Sequence, residues 1–328
     1  MLNYRPKVFD EASKAHTSKN IFIIVFSFII VFIVILILES IIPAIVSWKP
    51  MQEELAHQDA SSSMGELFHQ SMEISSKVTA KPEIMIPTLL STVFGTLAAI
   101  FYCRCIETRP VRSMGARKKG FFAHYFTGLL VGAGLMSAIV LMTKLTGAGT
   151  IKLCENVNYK IIGLFFLGFV VQGMSEEFIF RGYLLTSIGG AGHHTVLAIL
   201  ISAVGFGLAH AANPGFGPFP LFNLVLFGVF AALYLIVSDN IWGISAVHSI
   251  WNFTQGNVYG ISVSGTGDTE SIMRTTAISS KDYITGGKFG IEGSIFTTIA
   301  LGTGIIVLLC LLYKRSANTK AEPTEQPA

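Results

Sequence analysis

The chain has 328 residues, of which 51% are hydrophobic and 13% charged, and a mean hydropathy of +0.60. That is about half the charge of a soluble domain and far more apolar character, which excludes a disordered or purely cytosolic protein. The net charge of +3 gives no footprint for nucleic acid, and four cysteines, Cys103, Cys105, Cys154 and Cys310, are too few and too ill-spaced for a disulfide framework or a zinc ligand set.

Residues 1–19 carry Arg5, Lys7, Lys14 and Lys19 and read as a cytoplasmic N-terminal segment. A hydrocarbon core about 30 Å thick takes roughly 20 apolar helical residues. Eight runs meet that need, at 21–46, 84–102, 121–142, 159–185, 194–211, 221–237, 241–259 and 295–313, so 20–315 is expected to be one membrane domain. The reading is an all-α polytopic protein, because a membrane barrel would show alternating ten-residue segments. The first run is too long for a signal-peptide core and reads as an anchor. An acidic loop follows it at 49–83, a Gly/Ser/Thr-rich loop lies at 256–293, and a polar tail at 316–328 is expected to be disordered. Thirteen basic residues fall on the side holding the termini, six of them between Arg104 and Lys119, against nine on the other. The positive-inside rule then places both termini in the cytoplasm.

An ionisable side chain within a span is costly and marks function. The fourth run contains Glu176, Glu177 and Arg181, the fifth Phe206 and His210, and the seventh His248 and Asn252. Residues four apart share a helix face, so Glu177 and Arg181 can neutralise each other, whereas Glu176 points about 100° away toward a different cavity. His248 and Asn252 project together in the same way. A pocket between these three runs would hold Glu176, His210, His248 and Asn252, an inventory suited to hydrolysis. A desolvated glutamate acts as base on water, a histidine orients that water, and an imidazole with an amide donates to an oxyanion. Ser175 and Ser249 are expected on other helix faces, and Asn223, Gln172 and Glu39 in interhelical or headgroup contacts. His193 and His194 sit at a helix start with an interfacial role.

Glu-Glu-x-x-x-Arg, Phe-x-x-x-His and His-x-x-x-Asn, in that order on separate membrane helices, resemble the signature of the CPBP intramembrane protease family, which includes CAAX prenyl endopeptidases and bacteriocin-processing or immunity proteins. The resemblance covers 159–259. It implies Glu176 as the catalytic glutamate, His210 as its partner in activating water, His248 and Asn252 as oxyanion donors, and Glu177, Arg181 and Phe206 as supporting residues. The family is often labelled a metalloprotease family, and Glu176, His210 and His248 could supply a His₂Glu zinc set. A metal-free mechanism uses the same side chains and is the preferred expectation.

The expected partners are membrane lipids and a peptide or protein substrate, prenylated or CAAX-like, with no nucleic acid, and the expected location is a bacterial inner membrane. One alternative is a proton- or solute-coupled transporter. It would show repeated halves, whereas the ionisable residues concentrate in runs four to seven. The other is a non-catalytic immunity protein.

Overall fold

The computed structural model describes residues 5–16, 18–57, 63–267, 269–278 and 281–321. The chain is 76% helical. Among the described residues six helical runs are long and apolar enough to cross a membrane: Ile21–Leu55, Pro82–Ile106, Phe121–Leu145, Tyr159–Gly190, Pro218–Ser238 and Ile295–Ala317. The protein is thus a multi-pass membrane protein of helical architecture, and six of the eight expected runs form helices of this length. The fifth and seventh runs form helices of only 15 and 13 residues, α9 (Thr195–Ala209) and α11 (Ile241–Phe253). At 1.5 Å per residue these reach about 22 and 20 Å, less than the bilayer core.

A short α1 (Lys7–Ala12) precedes the first span and is not a free segment: Val8, Phe9 and Ala12 are buried. The Val8 amide donates to Asp239 Oδ1 at 3.2 Å, and Arg315 Nη2 meets Asp239 Oδ2 at 3.3 Å. The two ends of the chain therefore meet at one turn, where Asp239 adopts φ +54° as the C-cap of α10 (Pro218–Ser238). The first span, α2 (Ile21–Leu55), starts on Asn20, whose side chain accepts from the Phe22 amide. In place of the expected acidic loop, α2 runs on to Leu55 and α3 (Met64–Thr79) follows, opened by a Ser63/Glu66 capping box. The second span is built from α4 (Pro82–Ser91), α5 (Val93–Phe101) and a π turn, Tyr102–Ile106; the third is α6 (Phe121–Leu145).

Strand β1 (Gly149–Leu153) pairs antiparallel with β2 (Met273–Ala277), from Gly149 opposite Ala277 to Leu153 opposite Met273. The all-helical reading did not anticipate this ribbon, which β-branched Thr150, Ile151, Thr275 and Thr276 favour. The fourth span is composite: α7 (Tyr159–Glu177), a π segment (Phe178–Leu185) and α8 (Thr186–Gly190). A second π turn, Thr254–Val258, follows α11, and α12 (Asp282–Thr285) leads to α13 (Ile295–Ala321). That last helix continues through 316–321, where a disordered tail was expected; 322–328 lie outside the described residues.

Helix α11 lies between α6 and α7. Helices in lipid associate through close van der Waals packing at small residues. Gly173 shows it here, because a Cβ at that position would lie 2.6 Å from both the amide nitrogen and Oγ of Ser249. The contact brings the carboxylates at the end of α7 beside the imidazole on α11.

Candidate active site

Glu176 and Glu177 are the last two residues of α7, and Asn252 is the penultimate residue of α11; both helices pass into π geometry within two residues of them. Such π segments recur at functional sites because the wider turn re-aims the side chains around it. The composite span also bears on the depth at which the groups meet. A fourth helix ending at residue 185 would leave Glu176 closer to one membrane face than His210. The helix instead ends at Gly190, fourteen residues past Glu176, while His210 caps α9 fifteen residues past Thr195. The two groups thus lie a similar number of residues from these helix ends.

The side chains form two connected layers. In the inner layer Glu177 and Arg181 are fully buried, with Arg181 Nη1 donating to Glu177 Oε1 at 3.1 Å. His248 Nδ1 lies 2.8 Å from the same oxygen. A carboxylate only accepts, so Nδ1 carries the proton and Nε2 faces the other way. The Arg181 guanidinium lies 4.5 Å over the Phe206 ring, a cation–π contact that offsets part of its burial. In the outer layer His210 Nδ1 donates to the Phe206 carbonyl at 2.9 Å, so its Nε2 is also presented outward. Both Nε2 atoms point at one oxygen: Glu176 Oε2 lies 3.7 Å from His248 Nε2 and 3.9 Å from His210 Nε2. That oxygen is buried and has no hydrogen-bond partner among the described residues. The other, Oε1, accepts from Gln172 Nε2, and Gln172 Oε1 in turn accepts from Asn252 Nδ2 at 2.9 Å.

The seven residues singled out from the sequence thus converge. Two assignments change in detail. Glu177 holds His248 as well as Arg181, and Asn252 bonds to Gln172. Gln172, assigned an interhelical contact, is the link that orients Glu176; its i,i+4 spacing to Glu176 was the available signal. A cavity of about 250 Å³ opens on this cluster and is lined by Glu176, His210, His248, Asn252 and Gln172. Ser175 and Glu39 line it too; Ser175 was expected on another face, whereas Glu39 makes the expected interhelical contact, its carboxyl lying against the Gly95 backbone of α5. Asn223 does make an interhelical contact, donating to the Glu292 and Ser294 carbonyls and accepting from Thr298.

A water oxygen about 2.8 Å from Glu176 Oε2 and both imidazole nitrogens would fit their spacing. A zinc ion needs its ligand atoms at about 2.0–2.2 Å. Among the described residues no three His, Cys, Asp or Glu side chains gather closely enough to hold one. In this arrangement the set does not fit a metal.

Residues 158–254 match the family model described as type II CAAX prenyl endopeptidase Rce1-like. The chain carries an Rce1-like domain. It runs from the start of α7 to the end of α11, close to the expected 159–259, and contains every residue of the two layers. The resemblance drawn from three short motifs holds over that segment. No curated protein and no solved structure matches the chain. Outside the Rce1-like domain, α2 supplies Phe32, Leu36 and Glu39 to the cavity wall, α4 supplies Met85 and Leu89, and α13 supplies Thr297 and Leu301.

Proposed function

We propose that the chain is an intramembrane endopeptidase that uses Glu176 to activate a water molecule against a peptide bond in a membrane-associated, prenylated or CAAX-like protein. The Rce1-like domain supports protease chemistry. The observation that carries the mechanism is the unpartnered Glu176 Oε2, faced by two imidazole nitrogens inside a cavity.

Water binds by donating one hydrogen to Glu176 Oε2 and the other to His210 Nε2. Its oxygen attacks the carbonyl carbon while Glu176 takes a proton, and the carbonyl oxygen becomes an oxyanion. His248 in its charged form donates Nε2–H to that oxygen, and the amide hydrogen of Asn252 not used by Gln172 adds a second donor. Collapse breaks the C–N bond, the leaving nitrogen receives the proton held on Glu176, and His210 Nε2 takes the remaining proton of the water, giving a carboxylate and an amine. Glu177 and Arg181 act on His248: the carboxylate fixes its tautomer, and the guanidinium holds the carboxylate in place through its hydrogen bond. No metal takes part in this reading. The excess of basic residues on the side of the termini supports cytoplasmic termini in a bacterial inner membrane.

The test is hydrolysis of a peptide ending in a prenylated CAAX sequence by the purified full chain in detergent, with products identified by mass. Cleavage by the wild type and none by Glu176→Gln supports the proposal. Equal product from both, or none from either, overturns it.

A further inference from the structure

Glu39 lies on α2, outside the Rce1-like domain, on the stripe that includes Phe28, Phe32 and Ile35. Phe28 and Phe32 pack at an angle against the fourth span's Phe180, so this stripe faces inward, and Phe32, Leu36 and Glu39 wall the active-site cavity. A carboxylate in a membrane span is expensive and calls for a partner. Glu39 Oε1 is buried with no side-chain partner among the described residues, and the Gly95 backbone is the polar group set against its carboxyl. Ser175 Oγ, on a residue that is 0% exposed, has no hydrogen-bond partner among them either. Both crowd against Gly95, where a Cβ would sit 2.4 Å from Glu39 Oε1 and 2.6 Å from Ser175 Oγ. The glycine lets two acceptors approach to at most about 5 Å, the sum of those distances, and one small donor can bridge them.

The charge of the cavity says what kind of donor. Its walls carry Glu39, Glu176 and Glu292 and no Lys, Arg or Asp. Glu177 and Arg181 behind the wall cancel, so with both histidines protonated and the carboxylates ionised the lining remains negative. Glu292 is engaged, its Oε2 accepting from the Ser264 amide at 2.6 Å, Ser264 Oγ at 2.8 Å and Gln255 Nε2 at 3.3 Å. Glu176 is committed to water in the proposed mechanism. Glu39 is left as the carboxylate facing the cavity with no task.

We propose that Glu39, with Ser175, is the specificity site of the cavity and receives a lysine side chain of the substrate segment. This rests on the endopeptidase reading. An ammonium group offers three donors in a compact head, matching two converging acceptors better than a planar guanidinium does. The lysine neutralises the charge that α2 brings into the membrane and fixes which bond of the segment lies over Glu176.

The experiment compares prenylated CAAX peptides that carry a single Lys at successive positions with Gln counterparts, cut by the full chain and by Glu39→Gln and Glu39→Lys. One Lys position should raise kcat/KM by about tenfold over Gln in the wild type, mostly through KM. Glu39→Gln should bring that ratio close to one, and Glu39→Lys should turn the preference toward a Glu-containing peptide. An unchanged Lys/Gln ratio in Glu39→Gln overturns the assignment, as does equal loss on both peptides. If no variant cuts any peptide, the endopeptidase reading fails separately. Thermal stabilisation by the Lys and Gln peptides then decides: a larger shift with Lys in the wild type that Glu39→Gln removes upholds the lysine site, and equal shifts overturn it.

Discussion

Two buried clusters among the described residues pair a glutamate with an arginine, and they differ in what they leave undone. At the end of the second span Arg109 Nε donates to Glu107 Oε2 at 2.5 Å, Nη1 to Ser113 Oγ at 2.8 Å, and Nη2 to Cys103 Sγ at 3.0 Å and Ser187 Oγ at 3.1 Å. Ser187 Oγ donates to Glu107, and neither member of the pair has an orphaned side-chain atom among the described residues. Around Glu176 the count is opposite: Glu176 Oε2, Glu177 Oε2, Arg181 Nε and Arg181 Nη2 are buried without partners. A closed network of this kind ties the loop after the second span to the end of the fourth. An open one costs stability and is tolerated where a substrate or water completes it.

The sharpest way to break this contrast is to remove one carboxylate from the open cluster. Glu176→Gln keeps the shape and the link to Gln172 but removes the base, so turnover should fall by about 10²- to 10⁴-fold with the melting temperature held. His210→Ala should behave alike. A variant that loses activity only because it unfolds would place Glu176 among the structural pairs.

Removing one partner of the closed network should do the reverse. Arg109→Ala strands Glu107 and should cost about 3–5 kcal/mol, read in detergent as a large fall in melting temperature. Residual folded protein should keep its kcat. Glu177→Ala stands between the two, since it uncouples His248 and strands Arg181, and should lower stability and turnover together. Near-normal melting of Glu177→Ala would sink the two-layer description.

Legibility from sequence followed the same divide. The open cluster announces itself, because Glu176, Glu177, Arg181, His210, His248 and Asn252 are polar letters in apolar runs at helical spacing. The closed one did not: Glu107 and Arg109 sit two apart, off any helical face, inside a basic stretch that reads as topology, and their partner Ser187 is 80 residues away. Glu39 was visible as a charge but not as a wall of the cavity, because its orientation is set by α2 packing on α4 and α5. The shortness of α9 and α11 was hidden too, since the expected runs 194–211 and 241–259 extend past Ala209 and Phe253, where the helices end.

A third carboxylate shows the same satisfaction in water, where it is worth least. Glu66 is fully exposed and accepts from the Ser63 amide and hydroxyl, which hold its carboxyl below the usual glutamate range. A depressed value contributes stability above the unfolded pKa and loses it as pH falls through the folded one. The protection of α3 amides against hydrogen exchange should therefore fall below about pH 4, and Glu66→Gln should remove that pH dependence. Protection in α3 that does not change with pH would show the cap does not form.

The smallest effect is expected from removing metal, and it is the one that could dissolve the contrast altogether. If Glu176 Oε2 and the two Nε2 atoms bound zinc, the open cluster would be open only in name, with three of its polar atoms satisfied by a cation. Their separations of 3.7 and 3.9 Å suit a shared water, and the proposed mechanism gives every proton a place on Glu176 or an imidazole. Dialysis against a chelator should then leave turnover unchanged, and metal analysis of purified protein should find well under one zinc per chain. Stoichiometric zinc lost together with activity, restored with it and absent from His248→Ala would make His248 a ligand instead of an oxyanion donor. The distinction between the two clusters would then be one between a salt bridge and a metal site, with water activation passing from the carboxylate to the ion.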